Sequence, residues 1–225
     1  MALLELLFGM PPERFLADHW LQRPLHVAGA VERLAELGRD PAAPQAWFDA
    51  LVAELDLAFA APPAEVQRTA HAATATASKR FDRRELVIVV LAGREHWRVA
   101  RNETVAHPLA PHVAGTALHP LDRGVASGQV SIEMPADTET FVLEAGSVLY
   151  LPRGTWYETL ALEESSVVAF AFKIPTWIEL VINTAMVELG RDVGWRELAT
   201  DDDEPYERAM QRSIDALRAL RPPRG

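Results

Sequence analysis

Tyr157 closes the stretch Phe141-Val-Leu-Glu-Ala-Gly-Ser-Val-Leu-Tyr-Leu-Pro-Arg-Gly-Thr-Trp-Tyr157, just past the turn Pro152-Arg-Gly154. A strand that enters a small β-barrel after such a turn can carry a side chain into the barrel mouth, where ligands are held. A phenol there can join a polar network, line a small-molecule pocket or simply fill space. The other side chains with metal chemistry are seven histidines. His71 precedes the strongest apolar run, and His107, His112 and His119 lie in a Pro/Gly-rich stretch. His19, His26 and His96 fall where helix or strand packing accounts for them. None shows ligand spacing, and such isolated histidines are usually structural. The chain has no cysteine, which excludes thiol nucleophiles, zinc-thiolate sites and disulfides.

The elements around Tyr157 are short β-rich runs punctuated by glycine and proline, the pattern of a sandwich or barrel. Leu86 to Leu91 is a continuous apolar run, turned by Gly93 into a returning strand over His96 to Arg101. Further strands are expected over Val130 to Met134, Thr140 to Leu143, Val148 to Leu151, Trp156 to Leu162 and Val167 to Lys173. Ala70 to Ser78 reads as a loop or weak strand, and Asn102 to Gly128 as a long loop over the barrel. Helical spacing of apolar residues predicts helices around Phe15 to Trp20, Val31 to Leu37 and Gln45 to Leu55. After Pro175, Thr176 is a candidate N-cap for a helix presenting Trp177, Val181, Ile182, Ala185 and Leu189. A final helix is expected from about Tyr206 to Leu220. The resulting division is a helical segment over 1–65, a barrel over 66–174 and a helical tail over 175–225.

At 225 residues, 49% hydrophobic and 24% charged, the composition is that of an ordinary globular protein. No apolar run has the ~18 residues of a membrane span. The apolar start Met1 to Phe8 carries Glu5 and no basic leader, so it reads as an amphipathic helix rather than a signal peptide. The formal charge of -10 argues against nucleic acid as a direct partner. Absent cysteines agree with a cytoplasmic setting.

Four stretches together resemble a known family: Phe15-Leu-Ala-Asp-His-Trp-Leu-Gln-Arg-Pro-Leu-His-Val27; Leu86 through Gly93 to Trp97-Arg-Val99; Leu143-Glu-Ala-Gly-Ser-Val-Leu-Tyr-Leu-Pro-Arg-Gly154; and Phe172-Lys-Ile-Pro-Thr-Trp177. They are similar to the JmjC-type cupins of the ribosomal-oxygenase-like group, which are 2-oxoglutarate/Fe(II) hydroxylases. The resemblance implies a mainly β fold, a double-stranded β-helix (jelly roll) with N-terminal and C-terminal α-helices. In that family two histidines and a carboxylate hold Fe(II), and a lysine pairs with 2-oxoglutarate. Carried over, the His-x-Asp motif falls on Arg80-Phe-Asp82, the second histidine on Tyr157 and the lysine on Glu95. Only Asp82 keeps its type. Arginine stays protonated and cannot ligate a metal, and a glutamate would repel the cosubstrate. Arg80 is therefore expected to turn inward and bridge Asp82 and Glu95, in which case Arg80→Ala destabilises the fold; the alternative is that it points into solvent.

Three functions are compatible with these changes. The first is a non-catalytic JmjC-like cupin that binds a peptide or protein, with neither Fe(II) nor 2-oxoglutarate as cofactor and no metal ligands. The second is an active 2-oxoglutarate/Fe(II) hydroxylase of a protein or peptide, with an unconventional site. The third is a metal-independent cupin enzyme using Tyr157, Glu95 and Arg80 as acid, base and anion clamp. A homodimer through the apolar faces of the C-terminal helices is also expected.

Overall fold

The computed structural model describes residues 2–29, 42–55, 65–191 and 193–196, with isolated positions at 34, 37, 39, 40, 207, 210, 211 and 214. Among the described residues the N-terminal part holds the helices α1 (Leu3–Phe8), α2 (Pro12–Asp18) and α3 (Ala43–Glu54). Ten strands follow the jelly-roll pattern: β1 (Leu25–Val27), β2 (Glu65–His71), β3 (Thr76–Phe81), β4 (Glu85–Ala92), β5 (Arg94–Ala100), β6 (His112–Val113), β7 (Glu139–Glu144), β8 (Val148–Leu151), β9 (Trp156–Ala161) and β10 (Ser165–Phe172). They form two five-stranded antiparallel sheets in the orders β1-β8-β4-β10-β2 and β6-β3-β9-β5-β7. The mainly β double-stranded β-helix expected from the sequence is the fold observed. Ala70 to Ser78 belongs largely to β2 and β3, which a tight turn joins.

β4 is apolar without alternation because both of its faces are covered. Leu86, Ile88 and Val90 join Leu149, Leu151 and Val167 in the core between the sheets. Val87 and Val89 face the other way, against Leu4, Leu7, Phe8, Phe15 and Leu51 of the N-terminal helices. Each such buried side chain contributes about 1.5–3 kcal/mol, so helices and barrel stabilise one another. Gly93 turns β4 into β5 at φ +77°, where an added Cβ would meet the Glu164 carbonyl oxygen at 2.1 Å. No other residue fits that turn.

The outer face of the second sheet is covered by the stretch between β5 and β7. Phe81, Ala100 and Trp156 pack there with Val105, Leu118, Val130 and Met134. The stretch includes β6 and the short helix α4 (Pro120–Arg123). Buried Asp122 orders it by accepting hydrogen bonds from the Leu109 and Ala110 amides at 2.8 and 3.1 Å. Val130 to Met134, expected as a strand, is loop. Its carbonyls go to a cation instead of a ladder: Lys79 Nζ donates to the Ser131 and Glu133 oxygens at 2.9 and 2.8 Å. The same ammonium lies 4.2 Å over the Trp156 ring. Lys79 is only 4% exposed, so these partners, together with the nearby Glu158 carboxylate, stand in for its water. Lys79→Met is expected to weaken the anchoring of this loop by about 2–3 kcal/mol, the worth of charged hydrogen bonds left unmade. Hydrogen exchange and proteolysis should then rise between Val125 and Met134 while β4 and β10 stay protected.

The chain divides into two compact units, Met1–Ile174 and Pro175–Gly225. In the second, α5 (Trp177–Leu189) opens with a capping box, in which Thr176 and Glu179 satisfy each other's backbone amides. No residue of α5 is buried. The helix expected over Val31 to Leu37 lies mostly outside the described residues, although Leu34 and Leu37 are helical and buried. The one expected over Tyr206 to Leu220 also lies largely outside them. No helix among the described residues is long and apolar enough to cross a membrane.

Candidate functional site at the barrel mouth

Arg80 and Tyr157 face each other across the β3–β9 ladder. That ladder slips by one residue between Ala77 and Arg80, a bulge of the kind that re-aims side chains at a barrel rim. Arg80 Nε donates to the Ser78 carbonyl at 3.0 Å, tying the guanidinium to its own strand. On its other side Tyr157 pairs with Val99. The Tyr157 ring stacks on Trp97 with centroids 5.5 Å apart and packs against the core between the sheets. Both side chains therefore stand on the inner face. Burial and the Asp82 carboxylate push the Tyr157 hydroxyl up to about 12, with Arg80 and Arg84 opposing. At neutral pH it is a protonated donor.

Asp82 follows the end of β3, and its carbonyl accepts from the Gly154 amide at 2.7 Å. This bond explains why the Pro152-Arg-Gly154 turn lies at the mouth. Gly154 has φ +80°, and a Cβ there would come within 2.9 Å of Pro108. The Asp82 carboxylate is engaged on both oxygens. Arg84 Nε and its backbone N–H donate to Oδ1, and Arg84 Nη2 donates to Oδ2, all at 2.9 Å. Such a forked pair is the strongest grip a side chain offers a carboxylate.

Glu95 lies elsewhere. It is 1% exposed and accepts from Ser165 Oγ at 2.6 Å and Trp97 Nε1 at 2.8 Å. His71 Nδ1 lies 2.6 Å from Oε1. The topology assembles this cluster, because His71 on β2 is the register partner of Ser165 on β10.

The expected bridge from Arg80 to Asp82 and Glu95 is not made. Glu95 pairs with Ala161, whereas Arg80 pairs with Tyr157. Those positions are four residues apart on β9, about 13 Å at the rise of a strand. Each carboxylate has found other donors. The same distance separates Glu95 from Tyr157, so the acid, base and clamp of a metal-independent enzyme do not share one place. Arg80→Ala, expected from sequence to be destabilising, is now expected to change stability by less than about 0.5 kcal/mol. Thermal unfolding checks this.

Arg80, Asp82 and Tyr157 are brought together. Arg84, His71, Trp97 and Ser165 were not anticipated. Asp82-Arg-Arg84 carries a local signal, since an aspartate that accepts from the amide two residues on makes an Asx-turn. His71 and Ser165 carry none, because only the strand order makes them neighbours of Glu95. Among the described residues no group of three or more His, Asp or Glu is placed to hold a metal ion.

This barrel, with its N-terminal helices, places the chain in a known class: it belongs to the JmjC domain family, whose profile matches residues 49–180. The uncharacterized protein YxbC of Bacillus subtilis (strain 168) is 28% identical over 142 residues, covering 62% of this chain and 43% of that protein. The match thus spans less than half of that relative's length. Among solved structures, Escherichia coli YcfD superposes with a TM-score of 0.54 at 17% identity, over 96% of this chain and 69% of that one. A structure described as YcfD, a ribosomal oxygenase, in complex with cobalt and 2-oxoglutarate gives 0.52, also at 17% identity, over 96% and 68%. At that identity the likeness is one of fold.

Proposed function

We propose that this chain is a JmjC-domain binding protein that recognises a peptide or protein without iron-dependent oxidation. The observation that carries the reading is the state of Asp82, whose two carboxylate oxygens are held by Arg84. The family's Fe(II) needs two imidazoles and a free carboxylate on one face. At the corresponding positions stand a guanidinium, Arg80, and a phenol that keeps its proton, Tyr157. These residues do not fit the metal. Nor do they fit 2-oxoglutarate, because Glu95 offers a buried carboxylate, already saturated with donors, where a cation would be needed.

Purified protein is expected to carry no stoichiometric iron and to show no 2-oxoglutarate turnover when supplied with Fe(II). Iron at one equivalent, or iron-dependent turnover, contradicts the reading. The likeness of the fold to a ribosomal oxygenase favours a second one, an active hydroxylase with an unconventional site. It would require Arg84 to release Asp82, and the same measurement decides between the two.

The expected homodimer is part of the proposal. It is supported by the exposure of Trp177, Ile182, Met186 and Val187 on α5, because clusters of exposed apolar residues commonly mark an interface. Light scattering at micromolar concentration should give twice the chain mass. A monomer there would remove this part.

A further inference from the structure

Two residues at the barrel mouth carry hydrogen-bond donors with no partner among the described residues. These donors are the terminal nitrogens of Arg80, whose Nε alone is engaged, with Ser78, and the hydroxyl of Tyr157. The two residues stand opposite each other on the inner face. We propose that Arg80 and Tyr157 together form a receptor for a single carboxylate group of a ligand entering the barrel mouth. This rests on the proposed non-catalytic reading and names what that site recognises.

The geometry favours a carboxylate in three ways. With Nε tied to the strand, the guanidinium is fixed and its two Nη groups form a fork that matches the two oxygens of a carboxylate. Tyr157 is equally fixed by its stack on Trp97. Little side-chain entropy is then lost on binding, which is how a preorganised site gains affinity. Its hydroxyl retains the proton at neutral pH and can donate it to an oxygen of the ligand. The charge balance sets the valence. Arg84 pairs with Asp82, Arg80 has no carboxylate partner among the described residues, and the nearby Asp82 disfavours a doubly charged anion such as phosphate. One positive charge and one neutral donor suit one carboxylate.

That group can come from a small free acid or from an acidic side chain of a peptide. Both are tested by calorimetry on the full chain, in chelator to remove adventitious metal. The probes are propionate and the blocked tripeptide acetyl-Ala-Glu-Ala-amide, with acetyl-Ala-Gln-Ala-amide as neutral control. A single acidic residue is used because the chain's charge of -10 repels polyanions. Saturable binding of the Glu peptide, but not the Gln peptide, supports the peptide source. Binding of propionate with equal or greater affinity supports the free acid.

In either case Arg80→Gln should weaken binding by about ten- to a hundredfold, the worth of hydrogen bonds to a charged group. Tyr157→Phe should weaken it by about three- to tenfold, the worth of one neutral donor. Failure of both probes to bind wild type at about 10 mM, weaker than any useful affinity, overturns the proposal. So does unchanged binding in Arg80→Gln. Iron content on the same sample separates the two readings. Stoichiometric iron removes the non-catalytic reading, whereas iron-free protein that ignores both probes removes only the carboxylate receptor.

Discussion

Replacement of Glu95 by alanine should lower the stability of the barrel by about 3–5 kcal/mol, the cost of removing one partner from a buried charged network. Glu95 is the common acceptor for Trp97 Nε1 and Ser165 Oγ and lies 2.6 Å from His71 Nδ1. Truncation leaves the buried indole N–H and the buried hydroxyl without an acceptor and opens a cavity beside them. His71 is partly exposed and can turn to water, so its share of the loss is the smallest. Glu95→Gln keeps the volume and one oxygen and should lose less. Urea unfolding with an unchanged m value would show the difference as a shift in midpoint. A loss below about 1 kcal/mol for the alanine variant would mean that the network is not what holds this end of the barrel.

The second large effect is a dependence on pH. Glu85 is fully buried beneath the aromatic cluster of Phe15, Trp20, Tyr150 and Phe172. Its Oε2 accepts from the Tyr150 hydroxyl, which in turn accepts from the Leu21 amide at 2.8 Å. Burial raises the Glu85 carboxyl above its ordinary 4.5, and the Tyr150 hydrogen bond opposes the rise. The folded chain therefore binds this proton more tightly than the unfolded chain. The stability it contributes is fully present below the unfolded pKa and is lost as pH rises through the folded one. Wild-type melting temperature should fall across that window, and Glu85→Gln, which cannot titrate, should fall less. Parallel pH profiles for the two proteins would refute a titrating Glu85.

Much of the architecture was legible in the residues themselves. The unbroken apolar run Leu86 to Leu91, the glycines at 93, 146 and 154 and the Thr176 cap each correspond to an element observed. Val130 to Met134 reads as a strand because Val130 and Met134 do pack, but it is a loop whose carbonyls Lys79 captures. A lysine reaching over 50 positions along the chain leaves no local trace. At the mouth, the identities of Arg80, Asp82 and Tyr157 can be read, and the Asx-turn points to Arg84 as the partner of Asp82, but what Arg80 and Tyr157 face cannot be read. The β3 bulge sets what Arg80 faces, and the β9 register sets how far Glu95 lies from it. Both are properties of strand pairing, which side-chain type alone does not encode. Compensation between Arg80 and Glu95 was plausible as charge arithmetic and failed on distance.

The grip of Arg84 on Asp82 is what keeps the carboxylate from a metal. Restoring imidazoles alone, with Arg80→His and Tyr157→His, would leave that carboxylate engaged. Adding Arg84→Ala should free it and bring metal affinity with it, because ligands must be unprotonated and available before a metal can bind. Anaerobic cobalt(II) titration, followed by the visible absorption of the bound ion, tests this most directly. Wild type is expected to show no saturable site, and the triple variant to gain one. A one-equivalent site of high affinity in the wild-type chain, lost on Asp82→Ala, would contradict the account.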